Sequence, residues 1–76
     1  MKVGGLKADG VRRPPTANGM SFIRLEDPAG MLDVIISPAV YAACREALHS
    51  AFLVVEGKLQ KGPTMAIVAE WVSHLE

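Results

Sequence analysis

Turn-forming residues cut this chain at short, fairly even intervals: Gly10, Pro14-Pro15, Asn18-Gly19, Pro28 with Gly30, Pro38 and Gly62-Pro63. Proline lacks the N–H that a ladder or a helix interior needs, and glycine or an Asn-Gly pair tolerates the reversed backbone of a tight turn. What remains between the breaks has the length of strands, which is the mark of a small all-β domain. A chain of 76 residues also sits near the lower size at which a hydrophobic core suffices for one domain. Residues 1–76 are therefore expected to form a single domain.

Alternation assigns the faces of each segment, because successive side chains on a strand point to opposite sides. The first segment, Lys2 to about Arg13, carries Gly4, Gly5 and Gly10, which predict a bulged or sharply coiled strand. Residues 12–19, with two prolines and Asn18-Gly19, read as a loop. Met20 to Glu26 is a strand with Ile23 and Leu25 on one side and Phe22 and Arg24 on the other. Asp27 to Gly30 is a tight turn, in which Asp27 is expected to accept from backbone amides near Gly30. Met31 to Ile36 returns as a strand, with Leu32, Val34 and Ile36 on one face and Met31, Asp33 and Ile35 on the other.

Ser37-Pro38 has the chemistry of a helix start, a serine N-cap followed by proline at the first helical position. Val40, Cys44, Ala47 and Leu48 then recur at helical spacing, which predicts an apolar stripe of about three turns, with Arg45 and Glu46 on the wetter side. His49, near the helix end, complements the C-terminal dipole. Phe52 to Gln60 and about Met65 to Ser73 complete the chain as two strands, turned at Lys61-Gly62-Pro63.

Three strands, one helix, two strands is the order of an OB-fold, a five-stranded Greek-key barrel with its helix between strands three and four. An isolated meander plus helix also fits this order, but it leaves sheet edges open, a liability that closure of the barrel removes. The aromatic residues are only Phe22, Tyr41, Phe52 and Trp71 while half of the chain is apolar. The core must then be mostly aliphatic, which suits a thin barrel. The expected class is all-β with one helix.

Composition narrows the function. Eight Lys/Arg balance eight Asp/Glu for a formal net charge of zero, which argues against an autonomous, tight nucleic-acid binder, since counterion release needs clustered positive charge. Cys44, the single cysteine, has no internal disulfide partner, and its place on the apolar helix stripe reads as a small buried hydrophobe. No apolar run approaches the ~20 residues that span a bilayer, and Met1 to Gly10 lack the apolar stretch of a signal peptide. A cytoplasmic protein without a membrane partner is expected. His49 and His74 lie far apart, and Glu26-Asp27 are the one adjacent acidic pair and point to opposite faces. These patterns predict no metal site, no cofactor and no catalytic centre within the chain.

Phe22-Ile23-Arg24-Leu25-Glu26-Asp27-Pro28-Ala29-Gly30, followed by Val34-Ile35-Ile36 and Pro38, resembles the Phe-x-x-Leu-Glu-Asp-x-x-Gly…Val-Ile-Val…Pro signature of the OB domain of bacterial family C DNA polymerases, the DNA polymerase III alpha-subunit type. Val54-Val55-Glu56-Gly57-Lys58-Leu59-Gln60 resembles that domain's fourth strand, and Arg13 to Gly19 resembles the Arg-Pro-Gly-Thr-Ala-Lys-Gly loop of the error-prone branch. Asp9-Gly10 departs from the pattern of the first strand. Ala66 and Trp71 depart in the last strand, where that branch commonly has histidine and a basic or polar residue. The resemblance implies a domain excised from a much longer polymerase, with the active site elsewhere and the rest of that chain as a partner.

OB-folds bind single strands across the outer face of strands two and three, flanked by the loops after strands one and four. On that geometry Phe22 and Ile35 offer stacking surface with Arg24 beside them, Arg12 and Arg13 occupy the first loop, and Lys58 and Lys61 flank the last. Single-stranded DNA, as template, is the expected ligand. Two other classes compete: a packing or protein-interaction module with Trp71 and Met65 forming an apolar patch, and an RNA reader like the OB domains of aminoacyl-tRNA synthetases. An exposed Trp71 would favour the packing role, because large aromatics are enriched at interfaces.

Overall fold

A computed structural model describes residues 1–8, 12, 18–27, 30–60, 62 and 65–74. Five strands, β1 (Lys2–Lys7), β2 (Ser21–Asp27), β3 (Gly30–Ile36), β4 (Phe52–Gln60) and β5 (Ala66–His74), close into a barrel in the order β1-β2-β3-β5-β4. Neighbouring pairs are antiparallel except β3 and β5, which run parallel and pair only from Asp33–Ala66 to Ile35–Val68. This is the OB-fold expected from the element order, with its helical segment between β3 and β4.

The alternation read for Met20–Glu26 and Met31–Ile36 separates inside from outside on the β2–β3 hairpin. Ile23 and Leu25 of β2, Val34 and Ile36 of β3, Leu53 and Val55 of β4, and Ile67, Ala69 and Val72 of β5 are all buried in one core. Each fully buried Leu, Ile or Val contributes roughly 1.5–3 kcal/mol by leaving water, so these residues supply most of the driving force for closure. Phe22, Arg24, Asp33 and Ile35 stay partly exposed on the outer wall.

β1 is the coiled strand that the glycines predict. It pairs with β4 from Lys2–Glu56 to Leu6–Phe52, then turns to β2 at Leu6–Glu26 and Lys7–Leu25. A Cβ at Gly5 would lie 2.9 Å from the Glu26 carbonyl oxygen, so only glycine lets β1 change neighbours there. The strand ends at Lys7 and does not run to Arg13 as expected. Lys7 instead ties this corner down: its backbone N–H donates to Ala51 O at 2.7 Å and its Nζ donates to Leu48 O at 2.7 Å.

The helix also departs from expectation. Ser37 caps as predicted, its Oγ accepting from the Val40 N–H at 3.3 Å, with Pro38 opening the helix. But α1 (Pro38–Ala43) stops after six residues, and a separate 3-10 turn, Ala47–His49, follows. Cys44 leaves helical geometry (φ −114, ψ 20). Its thiol is buried and accepts the Val72 N–H of β5 at 3.3 Å. The stripe survives the break, for Cys44, Ala47 and Leu48 are buried in the core and Val40 packs against it. Tertiary packing on the barrel end has overridden helix continuity, which local spacing favoured.

A candidate single-strand interface

The outer wall is ordered by cross-strand register. Phe22 faces Ile35 across β2 and β3, and Ile35 faces Val68 on β5. Lys7 faces Leu25, so an unbroken ladder would set residue 10 opposite Phe22; Arg12 takes that place instead. Both backbone bonds of the bridge form, Arg12 N–H to Phe22 O at 2.9 Å and Phe22 N–H to Arg12 O at 2.7 Å. This slip of register brings Arg12 onto the wall, and Arg12, Phe22, Ile35 and Val68 fall in one row.

One step along β2 lies the second row, Arg24 opposite Asp33. Arg24 Nε donates to Asp33 Oδ1 at 3.1 Å, with 40% and 39% of the two side chains exposed. Exposed pairs of this kind contribute about 0.2–1 kcal/mol and are screened by salt. Arg12, Phe22, Ile23, Arg24 and Asp33 together line a pocket of about 260 Å³.

Of the residues expected from the sequence, the structure therefore gathers Arg12, Phe22 and Arg24, with Ile35 beside Phe22. Arg24 is a paired cation and not a free one, and the spacing of residues along β2 and β3 alone did not reveal this. Asp33 is the pocket residue that sequence reasoning passed over. Its signal was present, an acidic residue on the same outward face as Ile35, but only the β2–β3 register sets it opposite Arg24. Lys58 is exposed on β4 opposite Val68, which places it two strands beyond Ile35 around the wall. Arg13 and Lys61 lie outside the described residues, as does the Asp27 side chain with its expected bond near Gly30. Among the described residues, no three His, Cys, Asp or Glu side chains form a group that could hold a metal ion. Nor is any helix long and apolar enough to cross a membrane.

A second concave surface opens between the helical segment and the end of β5. About 650 Å³ in volume, it is lined by Arg45, Glu46, His49, Trp71 and His74 among others. Trp71 is 51% exposed. A bulge explains why: the register slips between Glu56 and Gly57, so Glu70 and Trp71 both face outward in succession. Met65 is also exposed but precedes β5. Six residues at ~3.3 Å each separate it from Trp71, so the two do not form the single apolar patch expected of them.

The error-prone DNA polymerase of Mycobacterium tuberculosis is 39% identical over 66 residues, 84% of this chain and 6% of that protein. The error-prone DNA polymerase of Cutibacterium acnes is 44% identical over 68 residues, 86% of the chain and 6% of its length. That of Bdellovibrio bacteriovorus is 39% identical over 62 residues, 80% of the chain and again 6% of the relative. The chain is related to one short segment of the error-prone DNA polymerases. No protein-family model matches it. The OB barrel thus corresponds to about 6% of the length of these relatives, and the resemblance carried by the Leu25-Glu26-Asp27 segment points to the same proteins.

Proposed function

We propose that this barrel is a non-catalytic OB module of a DNA polymerase of the error-prone type, and that it contacts single-stranded DNA, the template strand, during replicative or error-prone repair synthesis. The observation that carries the reading is the register that sets Arg12, Phe22 and Ile35 in one row on the outer wall of β2 and β3. A partly exposed aromatic flanked by a guanidinium is the minimal unit of single-strand binding: the ring stacks a base and the cation follows the backbone. Phe22 stacks, Ile35 extends the platform, Arg12 meets phosphate, and Lys58 lies farther along the wall on β4; Arg13 and Lys61, the other expected cations, lie outside the described residues. One ring contributes about 1–3 kcal/mol per stacked base, and the chain's net charge is zero, so the affinity of the module alone is modest and salt-sensitive. In this reading the remainder of the polymerase supplies the active site and most of the grip on DNA.

Titrating the isotope-labelled domain with a short single-stranded DNA at low salt, following backbone amide shifts, tests this directly. Shifts centred on Arg12, Phe22, Arg24 and Ile35 that fade as salt rises are expected. No shifts at high micromolar DNA would end the autonomous-binding reading. Tighter binding of a matched RNA would move the assignment to an RNA reader.

The exposure of Trp71 beside the groove at the helical end favours a second reading, a packing module held by the rest of a polymerase chain or by a protein partner. Burial of Trp71 in a larger assembly, seen as a blue shift of its fluorescence, would support that role. It does not compete for the β2–β3 face.

A further inference from the structure

The pair Arg24–Asp33 carries more than charge neutralisation. Its one bond joins Nε to Oδ1. Among the described residues no other bond to the Arg24 terminal amino groups or to Asp33 Oδ2 is present. With about 40% of each side chain exposed, a guanidinium donor and a carboxylate acceptor stand side by side in the pocket that Phe22 also lines. At about 260 Å³ the pocket falls below the roughly 300–1,000 Å³ of sites that enclose drug-sized ligands. That is the scale of one flat base and not of a whole nucleotide.

Resting on the single-strand reading above, we infer that Asp33 makes this a base-reading pocket selective for guanine. A carboxylate accepts hydrogen bonds and repels phosphate, so an acidic residue inside the pocket is misplaced for backbone contact and well placed for base edges. Among the four bases, only guanine shows two adjacent donors, N1–H and the N2 amine, next to a carbonyl acceptor. The Asp33 carboxylate takes the two donors while an Arg24 amino group donates to O6, with the ring stacked on Phe22. Cytosine and adenine offer one donor beside an acceptor and fit in part. Thymine flanks its single N–H with two carbonyls, which the carboxylate repels. In single strands these edges are free of pairing partners. Arg12, on the neighbouring row, is left for the phosphate.

Fluorescence anisotropy with short oligo-dT strands carrying one central substitution (dG, dC, dA or deoxyinosine) at low salt tests the inference. The protein is expected to bind the dG strand at least about fivefold tighter than plain dT, the scale of one well-made base contact. Deoxyinosine, which keeps N1–H and O6 but lacks the N2 amine, should fall between them. Asp33→Asn, checked for an unchanged melting transition, should bring dG to within about twofold of dT. Equal binding of all central bases by the wild type overturns guanine selectivity while leaving single-strand binding intact. So does Asp33→Asn that strengthens every strand alike and preserves the dG preference, because Asp33 then acts only as a charge. Failure to bind any strand would overturn the single-strand reading itself.

Discussion

The β2–β3 hairpin and the β4–β5 ribbon line the same core and meet at the short parallel pairing of β3 with β5, and each displays an aromatic residue outward. On β2 the residue is Phe22, opposite Ile35, bridged to Arg12 and one step from Arg24. On β5 it is Trp71, larger and half exposed, but opposite Glu56 and next to Glu70. Trp71 offers more stacking area, yet its nearest neighbours on the wall are carboxylates that repel phosphate. The contrast teaches that an aromatic residue does not mark a nucleic-acid face by itself; the charge beside it decides. On the reading proposed above, one small barrel would carry two tasks, strand contact on the β2–β3 wall and packing beside Trp71. The helical groove beside Trp71 adds Arg45, His49 and His74, groups that suit a mixed protein surface.

The two walls also differ in regularity. β2 and β3 pair without interruption from Ser21–Ile36 to Asp27–Gly30, whereas the ribbon is bulged at Glu56/Gly57. At the bulge a Cβ on Gly57 would overlap the Val68 carbonyl. Gly57→Val is therefore expected to be the most damaging change, at ~3 kcal/mol or more for a backbone that cannot yield. That is a large share of the ~4–11 kcal/mol typical of a chain of this size. Urea denaturation measures it, and a loss under ~1 kcal/mol would mean that the bulge is soft and that the exposure of Trp71 is not built in.

Exchanging the aromatics tests the comparison most directly. Phe22→Ala should lower single-strand affinity by about 1–3 kcal/mol, the contribution of one stacked base. Trp71→Ala should leave it within about twofold. Anisotropy with the same oligonucleotide reads both, and the reverse order would transfer the strand to the β4–β5 wall. The smallest expected effect is on salt dependence. Arg12→Ala should flatten the slope of log K against log salt by about 0.7, the value for one phosphate contact on a single strand, with little change in stability because Arg12 is exposed. An unchanged slope would remove Arg12 from the phosphate path.

Much of the barrel is legible in the sequence. β4 runs Phe52–Gln60 as read from the sequence, and β2, β3 and β5 begin and end within a residue of their expected limits. The Ser37 cap is also where its chemistry placed it. These features are local: alternation, turn chemistry and capping act over a few residues and need no knowledge of the partner strand. The overextended β1 and the overlong helix failed for the opposite reason. β1 ends where it exchanges β4 for β2, and the helix breaks where Cys44 must meet Val72. Both are demands of neighbours distant in the chain.

The site divides in the same way. That Phe22, Arg24 and Ile35 face outward followed from alternation alone, since the pleat has a period of two residues. That Arg12 pairs with Phe22, that Arg24 is held by Asp33, and that Lys58 lies two strands away from Ile35 were decided only by tertiary structure. Pleat parity is a property of each strand by itself. Register between strands is set by closure of the whole barrel, with its two-residue slip at Arg12 and its bulge at Gly57, and a change in either would bring a different set of side chains together.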